Sequence, residues 1–170
     1  LKELNIITIG VINVVDSLIA RQVSCGVYLN AGKEVGIAST KSFTSQLIVL
    51  NMIALWFSNI QNINKTNRIK YISSLQNSYT DVGNLLKKYD FIANFAKSII
   101  HKSLFILGKG TMFHIAEEAA LKIKELSYCH AEAYSGSALK HGPFSLLEDG
   151  FPVILIIIKD KYYNKMMSAY

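Results

Sequence analysis

Cysteine and proline are both scarce in this 170-residue sequence, at two residues each. Cys25 and Cys129 lie far apart in unlike contexts. Neither belongs to a Cys-x-x-Cys pair and no Cys/His spacing suits zinc, so no metal site and no cofactor are expected. Free, buried thiols in a reducing compartment follow instead. Charge is also sparse. Charged residues make up 18% of the chain against 51% hydrophobic, which excludes disorder and allows a packed, Ile-rich core.

Acidic residues are outnumbered 12 to 18, leaving a formal net charge of +6. The basic residues are spread along the chain without the long block that marks a nucleic-acid tail. The nearest cluster, Lys65 to Lys70, has only Tyr71 beside it for stacking. Nucleic acid is therefore not an expected partner, and small anions such as phosphates suit the charge better. No apolar run is long. Leu47 to Phe57, broken only by Asn51, falls short of the about 20 residues that span a bilayer. A helix buried inside an α/β protein is expected there, and no membrane partner. The opening Leu1-Lys2-Glu3-Leu4 lacks the basic-then-apolar design of a signal peptide, so the cytoplasm is the expected compartment. It also lacks Met, which fits a fragment.

What is present alternates. Asn5 to Val14 and Val23 to Leu29 read as buried strands. A loop over 30–36 leads to a helix that Ser39 or Thr40 can cap and that runs to about Asn59. Gln61 to Asn67 is polar and reads as a linker. Arg68 to about Lys102 has helical spacing. Leu104 to Leu107 is a short strand, Phe113 to about Tyr128 a helix, Pro152 to Ile158 a strand, and another helix begins at Asp160. The class is α/β with mostly parallel sheets. The strand–loop–helix order occurs twice around a helical arm, and each copy has fewer strands than a parallel sheet normally needs. Both are expected to be incomplete.

Glu118, Lys122 and Glu125 share one helix face. They form either a solvated salt-bridged stripe or a carboxylate beside an ammonium at a pocket edge, where a base and a cation could work on a sugar. Spacing leaves both readings open. His141, between Lys140 and a Gly142-Pro143 turn, sits in a loop of restricted shape and suits a structural or a catalytic role. Gly108-Lys109-Gly110-Thr111 joins a strand to a helix, where free N–H groups favour phosphate. It has neither Walker nor dinucleotide spacing.

Taken together, these segments carry a resemblance. Ala31-Gly32-Lys33-Glu34-Val35-Gly36-Ile37-Ala38-Ser39-Thr40-Lys41-Ser42-Phe43-Thr44 resembles the AG-x-E-x-G-V-A-S-T-K-A-F-T signature of glutamine:fructose-6-phosphate amidotransferases, the glucosamine-6-phosphate synthases. A second block runs from Ala119 to Tyr134 (AALKIKELSYCHAEAY), followed by Leu139-Lys140-His141-Gly142-Pro143. It resembles that family's ALKLKE-I-SY-x-HAEA … GELKHGP.

The resemblance implies flavodoxin-like sugar isomerase (SIS) domains with parallel sheets flanked by helices. Residues 1–61 would be the C-terminal part of a first SIS domain, 62–102 a helical linker arm, and 103–170 the N-terminal part of a second. It implies synthesis of glucosamine 6-phosphate from fructose 6-phosphate and glutamine-derived ammonia. Glu125 matches the general base that moves a proton between sugar carbons one and two. Lys122 matches a lysine at the open-chain end of the sugar. His141 matches the ring-opening histidine, which reaches the neighbouring subunit's site and so implies a homodimer. Ile37 and Ala38 match a stretch near the sugar, and Glu118 another active-site carboxylate.

There are departures. Ser137-Ala138 stand where the family has Gly-Glu, removing a carboxylate near His141. The family's phosphate-gripping loop would precede Leu1, and its glutaminase domain and C-terminal lysine would lie outside this chain. Weak sugar-phosphate binding and no complete activity are expected of it alone. Four readings remain: a piece of a working amidotransferase, a non-catalytic sugar-phosphate-binding relative, a stand-alone sugar-phosphate isomerase, or an unrelated nucleotide-binding α/β module. Ala138 favours the second over the first; intact Lys122, Glu125 and His141 favour the first.

Overall fold

Parallel pairing organises both halves of the chain. The computed structural model describes residues 2–99 and 103–170, which fall into two units, 1–89 and 90–170. In the first, β1 (Ile9–Ile12) runs parallel to β2 (Cys25–Tyr28), with Ile9 opposite Cys25 and Ile12 opposite Tyr28. The short helix α1 (Leu18–Gln22) connects them, its N-terminus capped by Ser17 Oγ accepting from the Ala20 N–H.

β1 is shorter than the apolar run Asn5–Val14 suggests because polar side chains take over at both ends. Thr8 Oγ1 accepts from the Ser24 N–H, and Ser24 Oγ from the Thr8 N–H. Asn13 spans Ala31 N and Gly32 O at the other end. Such local bonds compete with a strand ladder.

Helices α2 (Lys41–Ile60) and α3 (Lys65–Leu86) follow. The polar stretch read as linker is therefore only a turn, with α3 beginning inside it. Asn62 and Asn64 adopt left-handed φ of 51° and 52°, which Asn tolerates better than most residues. Arg68 Nη1 donates to Ser58 O at 2.9 Å and Ile63 O at 3.1 Å, holding the turn closed.

α2 is not the buried helix that its apolar sequence predicts. Ser42 is its only buried residue, and Trp56 is 58% exposed. The helix is long and apolar enough, by length and composition alone, to cross a membrane. Four-residue strands extend about 13 Å, whereas a 20-residue helix runs about 30 Å, so the two strands of this unit reach along less than half of it.

The second unit holds all but the first residue of α4 (Tyr89–Ile99), then β3 (Leu104–Gly108), α5 (Thr111–Ser127), β4 (Ala131–Ser135), β5 (Val153–Leu155) and α6 (Tyr163–Met167). Helices thus fill most of the stretch 62–102 read as an arm; its expected end at Lys102 lies outside the described residues. The sheet order is β4-β3-β5, all parallel. Every residue of central β3 is buried. Alternation then divides its side chains between two cores. Leu104 and Ile106 pack with Ala116, Ala120 and Ala131, while Phe105 and Leu107 pack with Leu139 and Met166.

β4 is a strand that the sequence reading did not register, because Ala131-Glu132-Ala133 has little β propensity. β5 occupies only three residues of the run Pro152–Ile158, and α6 starts later than Asp160. The cysteines also differ from expectation. Cys25 is exposed on a fully exposed β2, and Cys129 is half-buried in the turn after α5.

Candidate functional site

The second unit positions its most chemically suggestive residues through α5. Ala116 and Ala120, one turn apart, are the buried residues that fasten this helix against the sheet. Its approach is close. A side chain at Gly108 would collide with the backbone of Met112 and Phe113, and Gly110, at φ 61°, lies against the Tyr162 ring. The two glycines of the Gly108-Lys109-Gly110-Thr111 loop are thus accounted for by packing and backbone conformation.

Away from the sheet, Lys122 Nζ lies 3.0 Å from Glu118 Oε1 and 3.4 Å from Glu125 Oε2. Their side chains are 20%, 25% and 36% exposed. One ammonium therefore sits between two carboxylates. The hydrogen bond that Lys122 donates to Glu118, supported by the one it donates to Glu125, holds its pKa above the usual 10.5 and keeps it charged at neutral pH. The structure brings together three of the six residues the sequence singles out. A carboxylate fixed beside a permanent cation can exchange a proton with a carbon acid while the cation faces an oxygen of the same substrate.

His141 ends a 3-10 turn, Leu139–His141, and precedes Gly142, whose φ of 145° suits glycine. Its backbone N–H donates to Ala138 O at 3.0 Å. The imidazole is exposed and, among the described residues, makes no hydrogen bond or ion pair with Glu118, Lys122 or Glu125. The restricted loop is as expected, but no hydrogen bond or ion pair among the described residues joins His141 to the α5 triad.

Ile37 and Ala38 belong to the first unit, in the loop before α2; Ile37 is 86% exposed and Ala38 buried. What shapes that loop is Glu34, to which the sequence alone assigns no role. Its Oε1 accepts from Thr40 N at 3.1 Å, Ser42 N at 3.0 Å and Ser42 Oγ at 2.6 Å. These bonds, that from the Ser42 hydroxyl foremost, hold the Glu34 pKa below its usual 4.5. The expected cap by a Ser39 or Thr40 side chain is not formed, and Thr40 makes no side-chain cap bond. A full negative charge satisfies the first turn of a helix better than a hydroxyl can.

A second unforeseen cluster lies on β4. Tyr134 donates its hydroxyl to Glu132, which also meets His130 Nε2 at 3.2 Å. The Tyr134 bond leads in lowering the Glu132 pKa, and the same bond raises that of Tyr134. The i, i+2 spacing that aligns Glu132 with Tyr134 becomes visible only once the segment is known to be a strand.

Two parallel sheets with helices, and a carboxylate–lysine–carboxylate face on the helix after a central strand, define an α/β class with a concrete family. The SIS domain matches residues 1–56 and 99–169, and the chain belongs to that family. It is similar to the glutamine–fructose-6-phosphate aminotransferase (isomerizing) of Chlorobaculum tepidum, 40% identical over 168 residues that cover 98% of this chain and 27% of that protein. It is likewise similar to human glutamine–fructose-6-phosphate aminotransferase (isomerizing) 2, 39% identical over 172 residues, 99% of this chain and 25% of that one. Among solved structures, the C-terminal domain of glucosamine-fructose-6-phosphate aminotransferase from Francisella tularensis matches with a TM-score of 0.90 and 34% identity, over 95% of this chain and 46% of that one. The chain spans about a quarter of the length of these curated relatives.

Proposed function

We propose that this chain is part of the isomerase portion of a glutamine–fructose-6-phosphate aminotransferase. It comprises the end of one SIS domain (1–61), a helical arm (62–102) and the start of a second (103–170). The whole protein makes glucosamine 6-phosphate from fructose 6-phosphate and glutamine-derived ammonia, in the cytoplasm and as a homodimer. Glu125 is the base that carries a proton between sugar carbons one and two. Lys122 faces the oxygen at the open-chain end, and Glu118 holds Lys122 charged and in place. Ile37 and Ala38 line the sugar, and His141 serves ring opening in the neighbouring subunit's site. That last role accords with an exposed imidazole that, among the described residues, makes no hydrogen bond or ion pair with Glu118, Lys122 or Glu125. The observation that carries the reading is Lys122 bonded to both Glu118 and Glu125 on one face of α5.

A non-catalytic sugar-phosphate-binding relative is the second reading, favoured by Ala138 in place of the family's carboxylate. Glucosamine 6-phosphate formation by the full-length protein separates the two. Glu125→Gln keeps the shape and removes the base, so the rate falls about 10²–10⁴-fold with little change in sugar binding. His141→Ala slows turnover of the cyclic sugar, while an open-chain analogue partly escapes the defect. Near-normal rates in both variants contradict the assigned roles. No product from the unsubstituted protein, with sugar phosphate still bound, supports the second reading.

A further inference from the structure

We infer that Glu34 is a positioning residue for the sugar, holding the Ile37–Ala38 segment in the shape that receives it. The inference rests on the reading that Ile37 and Ala38 line the sugar, and adds to it a residue that acts without touching the substrate.

The loop before α2 is tied at its two ends and not between them. Asn13 holds the entry, accepting at Oδ1 from the Ala31 N–H and donating through Nδ2 to Gly32 O at 2.7 Å. Glu34 holds the exit, where its Oε1 alone gathers the Thr40 N–H, the Ser42 N–H and the Ser42 hydroxyl. Among the described residues, Val35, Gly36, Ile37 and Ala38 make no hydrogen bond. Val35 and Ile37 are 96% and 86% exposed, so packing holds the segment only through buried Ala38. A segment with so few contacts of its own takes its shape from where its ends are fixed.

The Glu34 contact extends to the residue directly after Ala38. The Ser42 hydroxyl gives its one hydrogen to Glu34, so the 2.6 Å contact between Ser39 Oγ and Ser42 Oγ is a bond that Ser39 donates. Ser42 is itself buried, which keeps water from replacing either partner. One carboxylate oxygen therefore determines both where the segment ends and how the Ser39 hydroxyl points. The bond from the Ser42 hydroxyl leads in lowering the Glu34 pKa, so this acceptor is charged at neutral pH.

Ordering a loop before the ligand arrives removes that entropic cost from binding. Loss of Glu34 should therefore appear in KM while kcat is kept, because no interaction confined to the transition state is removed. That split is the opposite of the one expected for Glu125→Gln.

The test is glucosamine 6-phosphate formation by the full-length protein, with the Kd of fructose 6-phosphate measured separately by calorimetry. Glu34→Ala should raise KM about tenfold while kcat stays within about twofold. Glu34→Gln keeps an oxygen at the same reach without its charge, so it should recover part of the loss, to about threefold. The Kd should follow KM in both variants, and it alone carries the test if the protein binds sugar phosphate without turning it over. A residue that only caps α2 would lower the melting temperature and leave KM and Kd alone; that pattern overturns the inference, as does a fall in kcat with KM unchanged. Should Glu34→Ala lose its fold, Glu34→Gln decides, and an unchanged KM and Kd in it overturn the inference. No binding of fructose 6-phosphate by the unsubstituted protein overturns the proposed function together with this inference. Binding that is indifferent to both Glu34 variants overturns this inference alone.

Discussion

Each unit contains a parallel strand followed by a turn and a helix, but they bury their apolar residues to very different degrees. In the second unit β3 is flanked by β4 and β5, and its alternating side chains fill a core on each face. In the first, β1 has one partner, and Ala38 is the only buried hydrophobic side chain among the described residues. The apolar content of α2 exceeds that of α5, yet α2 is exposed and α5 is fastened. Within this chain the two outcomes go with sheet width, because a strand paired on both sides offers covered surface that a two-stranded ribbon cannot. The carboxylates and lysine on α5 can hold a fixed geometry because Ala116 and Ala120 anchor the opposite side of the helix.

The largest expected effect tests that contrast directly. Phe105→Ala removes a ring packed against Tyr134 and Phe151 and should cost about 3–5 kcal/mol, seen as faster hydrogen exchange at β3 amides. Trp56→Ala, in the more apolar but exposed helix, should stay within about 0.5 kcal/mol by exchange at α2 amides. The reverse order would break the comparison.

Within the first unit, order is concentrated at the start of α2. Ser42→Ala removes a buried hydroxyl that bonds Glu34 and Ser39 and should cost about 0.5–1.5 kcal/mol locally. The smallest effect is one of pH. The folded pKa of Glu34 is depressed, so its contribution is present above the usual 4.5 and is lost as pH falls through the lower folded value. The Thr40 and Ser42 amides should lose exchange protection below pH 4.5, and Glu34→Gln should remove that step. A protection loss identical in the Gln variant would assign it to another group.

Legibility in the sequence followed the range of the interactions. Leu104 to Leu107 was readable as a strand because all its residues are buried, which produces an unbroken apolar run. The α5 face was readable because helical spacing alone aligns Glu118, Lys122 and Glu125. The Glu34 cap was not, since the carboxylate reaches Thr40 and Ser42 across a loop of six and eight residues. Nor was the hydrogen bond from Lys109 Nζ to Ser137 Oγ, which joins positions 28 apart. The exposure of α2 was hidden for another reason: periodicity records which residues are apolar, not what is available to cover them.

The central claim is that α5 presents a working base, and isotope exchange at the reacting carbon tests it most directly. Fructose 6-phosphate carrying deuterium at carbon one is incubated with the full-length protein in ordinary water, and the label remaining in substrate and product is measured. The unsubstituted protein should release part of the label to solvent. Glu125→Gln should still bind the sugar phosphate and retain the label, with exchange slowed about 10²–10⁴-fold. Release of label at the unsubstituted rate in Glu125→Gln would contradict the account and place the base elsewhere.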